Sequence, residues 1–196
     1  MKHPVFTGSG VAIVTPMKAD GSINFDELGR LIDFQIENGT DSIISCGTTG
    51  ESAVLSDKEH CDVISYTVER VNKRVPVVAG TGSNDTRYAI ELSKEAQRLG
   101  ADAILSVTPY YNKTSQQGLV RHFNMIADSV NIPIILYNVP GRTGCCIKPE
   151  TYVPLSRHEN IVATKEASEN ISSIAKIFAL CGDDFGVYSG ADDQTV

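Results

Sequence analysis

The sequence has no tryptophan, no lysine- or arginine-rich run and no apolar stretch as long as a membrane span. It also lacks a Cys-x-x-Cys pair. Without a basic cluster, and with a formal charge of −7 and a pI near 5.0, nucleic acid and anionic membranes are not expected partners. The short apolar runs argue against a membrane protein, and the Met-Lys-His-Pro-Val-Phe start has no apolar signal region. The five cysteines are odd in number, and Cys145 and Cys146 are adjacent rather than spaced for zinc, so reduced thiols and a cytoplasmic location are expected. The four histidines are scattered with no metal spacing, so no metal is expected; no cofactor is expected either.

What the chain does have is a repeat of short β-branched runs about every thirty residues. They are Val11 to Val14, Ser42 to Ser45, Val75 to Ala79, Ala103 to Val107, Pro133 to Tyr137, Ile161 to Thr164 and Phe185 to Tyr188. Helical periodicity fills the gaps. Asn24 with Glu27, and Ser56 with Glu59, mark two helix starts, and Gly39 and Gly100 mark two ends. A further helix after Pro149 is expected to be short and broken by Pro154.

Strand, loop and helix repeated at this spacing imply parallel strands with right-handed crossovers. An open doubly wound sheet and a (β/α)8 TIM barrel both fit. No Gly-x-Gly-x-x-Gly follows the first strand, and polar side chains cluster after several strands, as at a barrel mouth. Seven strands are counted where a barrel has eight, and such barrels usually take about 250 residues. The expected fold is therefore an α/β TIM barrel truncated after its seventh strand. Residues 1–196 form one catalytic domain on this reading, without the eighth strand and the C-terminal helices.

The candidate chemistry centres on Ile161-Val162-Ala163-Thr164-Lys165-Glu166, an apolar run that ends in a lysine. A partly dry lysine loses proton affinity, and its neutral amine can attack a ketone. A solvated strand-end lysine is the plain alternative. Gly47-Thr48-Thr49-Gly50-Glu51-Ser52 suits a small carboxylate, or simply caps a helix. In Thr108-Pro109-Tyr110-Tyr111-Asn112 a phenol can relay a proton or pack at an interface. Tyr137 is either a proton carrier or a core ring. Arg142, in a Gly-rich turn, either grips a carboxylate or makes a surface ion pair. Gly190 either admits a substrate or ends a strand.

Taken in order, Gly-Thr-Thr-Gly-Glu-Ser, Thr-Pro-Tyr-Tyr-Asn, Tyr-Asn-Val-Pro-Gly-Arg-Thr-Gly and Lys-Glu-Ala-Ser resemble the 4-hydroxy-tetrahydrodipicolinate (dihydrodipicolinate) synthase family of class I pyruvate-dependent aldolases. The resemblance runs from about Phe6 to Val196 and covers about the first two-thirds of the family's length. It implies a lyase of lysine and diaminopimelate biosynthesis that condenses pyruvate with L-aspartate 4-semialdehyde through a Schiff base. A homotetramer, a dimer of dimers, is implied for the full-length protein. Residue by residue, it implies that Lys165 forms the imine and Tyr137 shuttles protons. Thr48 and Tyr111 complete the relay, with Tyr111 supplied by a neighbouring subunit. Thr48 and Thr49 hold the pyruvate carboxylate, Arg142 receives the semialdehyde, and Gly190 contributes a backbone contact.

N-Acetylneuraminate lyase and the 2-keto-3-deoxy sugar-acid aldolases share the lysine and tyrosine but generally lack the Arg-Thr-Gly, so Arg142 favours the synthase. A catalytically inactive truncated barrel is the third reading. The resemblance also implies a candidate lysine-binding allosteric cleft at Ser52, Ala53, His60, Asn84 and Tyr110. Tyr88, however, stands where that cleft has a glutamate, which argues against feedback inhibition. Glu169 stands where the family usually has glycine, and Ala191 where Asp or Asn is common.

Overall fold

The computed structural model describes residues 2–195. They fall into two compact units: Val5–Thr81 with Lys94–Leu105, and residues 2–4 with Gly82–Ser93 and 106–195. The elements run β1 (Gly10–Ala12), α1 (Phe25–Glu37), β2 (Ser42–Ser45), α2 (Asp57–Val71), β3 (Val77–Gly80), α3 (Thr86–Arg98) and β4 (Ala103–Val107). They continue with α4 (Gln116–Ala127), β5 (Ile134–Asn138), α5 (Pro140–Thr143), α6 (Pro149–Ser156), β6 (Ile161–Glu166), α7 (Ile171–Cys181) and β7 (Gly186–Ser189). The sheet order is β1 to β7 without reversal. A doubly wound sheet reverses order at its switch point. The fold is thus an α/β TIM barrel through its seventh strand.

Local chemistry explains the boundaries. Asn24 starts α1 by accepting the Glu27 amide at 3.1 Å, which leaves Leu28 and Ile32 fully buried. Ser56 and Glu59 form a reciprocal capping box at the start of α2, with the Ser56 amide 2.9 Å from the Glu59 carboxylate. Such a cap is worth about 1 kcal/mol. β3 begins at Val77 rather than Val75, because Pro76 has no N–H to give the ladder. The Pro76 carbonyl does take part, accepting the Ile43 amide at 3.1 Å.

Two expectations need correction. Helix α6 is not broken at Pro154 but runs through it to Ser156. The bond lost there would have ended on the carbonyl of exposed Glu150, while Tyr152 and Leu155, both fully buried, anchor the helix. Packing outweighs an intrinsic proline penalty of roughly 3 kcal/mol. The Pro-Gly-Arg-Thr turn is a single helical turn, α5, ended by Gly144 at φ +66°.

Glu169 adopts φ +59°, a left-handed conformation that costs an L-residue about 1–2 kcal/mol. Glu169→Gly should therefore raise the stability by about 0.5–1 kcal/mol after glycine's own entropy is counted. The urea midpoint reads this out, and an unchanged or lower midpoint would contradict the strain.

Candidate active site

The site is built on the β5–β6 ladder. Pairing begins as Ile134↔Ile161 but resumes as Ile135↔Ala163, so Val162 is one extra residue on β6. Without it Tyr137 would face Thr164. With it the pairs are Tyr137↔Lys165 and Asn138↔Glu166. A one-residue slip exchanges the two faces of a strand, so this irregularity is what places phenol and amine side by side. The Lys165 Nζ lies 4.7 Å from the centre of the Tyr137 ring, within cation–π range.

The surroundings of the amine are small and partly dry. Ala163 is buried beneath it, and a Cβ on Gly186 would sit 3.2 Å from the Ala163 methyl. A Cβ on Gly190 would lie 3.0 Å from Lys165 Cε and 2.9 Å from Ala167 Cβ. Gly190 thus lets the chain after β7 lie against the lysine stem, and its amide donates to the Glu166 carbonyl at 2.8 Å. Burial pushes the Lys165 amine below the ordinary lysine range, with the Asp192 carboxylate opposing the shift. Tyr137 is 7% exposed.

The same unit holds Arg142, exposed on α5. Its guanidinium makes no hydrogen bond or ion pair among the described residues. In the loop after β4, Tyr111 sits at φ +68° and is 91% exposed, and Tyr110 is exposed beside it. Asn112 ties this loop to Asn84, its side-chain amide donating to the Asn84 carbonyl at 3.2 Å.

The other unit holds Thr48 and Thr49, both exposed in the turn after β2. Cys46, at φ +52°, starts that turn against β3, where any Cβ on Gly80 would lie only 2.1 Å from the Cys46 carbonyl oxygen. The Thr48 carbonyl accepts the Glu51 amide at 3.1 Å, and Thr15 Oγ1 donates to the Gly50 carbonyl at 2.7 Å. Ser52 is half-buried and Ala53 exposed in the short 3-10 turn Ser52–Val54. His60 is buried, with Nε2 2.8 Å from the Gly80 carbonyl. Burial depresses its pKa, so the ring is neutral and donates through Nε2.

One group escaped the sequence reading: buried Glu166, with Asn138, Tyr152 and Thr164 around it. The signal was present, since a carboxylate inside an apolar strand needs partners wherever it is buried. Among the described residues no set of three or more His, Cys, Asp or Glu could hold a metal. No helix among them is long and apolar enough to cross a membrane.

Seven parallel strands in sequence order, with a partly desolvated amine on the next-to-last rung of the β5–β6 ladder, define the class: an α/β protein of TIM-barrel type through its seventh strand. The sequence pattern of the Dihydrodipicolinate synthetase family matches residues 5–196. The chain is 61% identical over 196 residues to a 4-hydroxy-tetrahydrodipicolinate synthase of Acetivibrio thermocellus, covering all of this chain and 66% of that protein. It is 57% identical over 192 residues to 4-hydroxy-tetrahydrodipicolinate synthase 1 of Clostridium acetobutylicum, covering 98% of this chain and 65% of that one. Among solved structures, dihydrodipicolinate synthase from Thermotoga maritima matches with a TM-score of 0.95 at 41% identity, over 98% of this chain and 66% of that one. The Acinetobacter baumannii enzyme, complexed with pyruvate, matches at 0.94 and 48% identity, over 96% and 65%. The chain belongs to the dihydrodipicolinate synthetase family. It spans just under two-thirds of the length of the curated relatives it matches.

The lowered proton affinity of Lys165 has a signed consequence. Between its folded and unfolded pKa the unfolded chain binds more protons, so stability rises with pH across that window. The Lys165 amine, followed by NMR after 13C-reductive methylation, should half-titrate below about 10.4, the free lysine value. A midpoint at or above that value would contradict the desolvation.

Proposed function

We propose that this chain carries the catalytic domain of a Schiff-base aldolase, a lyase that condenses pyruvate with L-aspartate 4-semialdehyde to 4-hydroxy-tetrahydrodipicolinate in lysine and diaminopimelate biosynthesis. The observation that carries this reading is the Lys165 amine, partly dry and 4.7 Å over the Tyr137 ring, in a chain of this family. A neutral amine is the attacking form, and desolvation raises its fraction near neutral pH.

In the proposed sequence Lys165 Nζ adds to C2 of pyruvate. Tyr137 moves protons so that the C2 oxygen leaves as water and an iminium remains. The iminium acidifies C3, and loss of a C3 proton gives an enamine. The enamine carbon bonds to the aldehyde carbon of the second substrate, whose oxygen takes a proton, and the amino group of that substrate then adds to C2, closes the ring and expels Lys165 Nζ as the free amine. A phenol positioned beside the amine suits each of these transfers.

Thr48 and Tyr111 are proposed as relay partners of Tyr137, and Thr48 and Thr49 as the hold on the pyruvate carboxylate. The exposed hydroxyls of the threonine turn support that role. Arg142 is proposed as the receptor of the semialdehyde carboxylate, supported by its exposed guanidinium without a protein partner among the described residues. Gly190 is proposed as a backbone contact, supported by its closeness to the lysine stem. Tyr111, almost fully exposed in a strained loop, supports insertion into a neighbouring subunit of a homotetramer. The proposed location is the cytoplasm. For the candidate cleft of Ser52, Ala53, His60, Asn84 and Tyr110 we propose no feedback inhibition by lysine. Tyr88 supplies no carboxylate there, and the His60 Nε2 is engaged by Gly80.

Pyruvate with borohydride should leave a stable adduct detectable by mass on the wild-type chain and none on Lys165→Ala. A wild-type chain that gains no mass would contradict the reading. Arg142→Ala should keep the adduct yet raise the KM for aspartate 4-semialdehyde by roughly 10- to 100-fold, the size of one lost charge-assisted contact. Steady-state kinetics check this, and an unchanged KM, or faster turnover of a keto-sugar acid, would favour a sister aldolase.

A further inference from the structure

Behind the Tyr137↔Lys165 rung the next rung of the same ladder is Asn138↔Glu166. Both are polar and buried, at 1% and 2% exposure, and both follow directly on the two candidate reacting residues. Strand alternation turns them to the other face. There the Glu166 carboxylate gathers donors from β5, α6 and the exit of β6. Asn138 Nδ2 lies 2.9 and 3.1 Å from its two oxygens. Tyr152 Oη, from α6, donates at 3.0 Å, and the Ser168 amide, from the exit of β6, donates at 3.0 Å.

The surrounding bonds fix the direction of each of these. Burial, with Glu166 beside it, pushes the Tyr152 hydroxyl well above the ordinary phenol range, so it stays a donor. Thr164 Oγ1 in turn donates to the Tyr152 oxygen at 3.2 Å. Asn138 Oδ1 accepts the Ile147 amide at 3.0 Å, which commits the Nδ2 side of that group to Glu166. The backbone of Glu166 closes the circuit: its carbonyl accepts the amide of Gly190, whose Cα packs on the Lys165 stem. One residue therefore links β5, β6, α6 and the segment after β7.

A buried carboxylate whose acceptors are all engaged by fixed donors ties the segments that carry those donors to one arrangement. We propose that Glu166, together with Asn138 and Tyr152, is a positioning residue that holds the Lys165 amine over the Tyr137 ring. It touches no substrate and acts through the strand rung it locks. The proposal rests on the imine-forming reading of Lys165, and two readouts separate the two ideas.

The first readout is single-turnover trapping of the pyruvate adduct on wild type, Glu166→Gln and Tyr152→Phe. Glutamine keeps the volume but presents an NH2 to a cluster of donors. The saturating trapping rate should fall by roughly tenfold to a hundredfold in Glu166→Gln, the cost of displacing a reacting group by up to an ångström. In Tyr152→Phe it should fall several-fold, and the pyruvate concentration at half-rate should stay close to wild type in both. The second readout needs no pyruvate: the Lys165 amine in Tyr152→Phe, which retains the carboxylate, should titrate closer to the free lysine value than in wild type. A purely structural role would lower the melting temperature while leaving both the rate per folded molecule and the Lys165 midpoint unchanged, and that result would overturn the proposal. If Glu166→Gln fails to fold, Tyr152→Phe, which loses one hydroxyl, decides the matter alone. A wild-type chain that traps no pyruvate, with a Lys165 midpoint that still moves in Tyr152→Phe, would overturn the aldolase reading and leave the positioning role supported.

Discussion

The extra residue in β6 is the constraint on which the rest of the site depends. Val162 has no partner of its own on β5, and after it every pair is displaced by one. The displacement brings an amine beside a phenol on one face and a carboxylate beside an amide on the other. Either pairing would be lost with the register, since the side-chain period of a strand is two. The register shift at this point thus re-aims side chains, as local ladder irregularities near functional sites often do.

Small residues then keep the amine partly dry. Ala163, Gly186 and Gly190 leave room for the lysine stem to lie within the protein rather than over its rim. Desolvation disfavours the ammonium, and the nearby Asp192 works against that effect without cancelling it. The same close packing at Gly190 connects the seventh strand to the sixth through the Glu166 carbonyl. Packing, proton affinity and strand register are therefore consequences of one local arrangement.

Much of this was legible in the sequence because it depends on local patterns. β2 and β4 could be read to the residue from their β-branched runs, and α1 and α2 from their caps. The lysine at the strand end and the tyrosine on the neighbouring strand could be read from alternation, although alternation alone counts no bulge and so gives no register. The continuity of α6 was not legible, because two buried side chains, not propensity, decide it. Glu166 was not singled out either, since its partners come from three separate segments and only the folded chain brings them together. The left-handed backbone at Glu169 shows, in turn, why glycine suits that position.

The proposed chemistry requires a covalent bond between one nitrogen and one keto carbon. A crystal of this chain soaked with pyruvate measures it directly. Continuous density from Lys165 Nζ to C2 of pyruvate, with the Tyr137 hydroxyl within about 3 Å of the new linkage, is the predicted result. Pyruvate bound elsewhere, or bound beside Lys165 without a bond while the amine points to solvent, would contradict it.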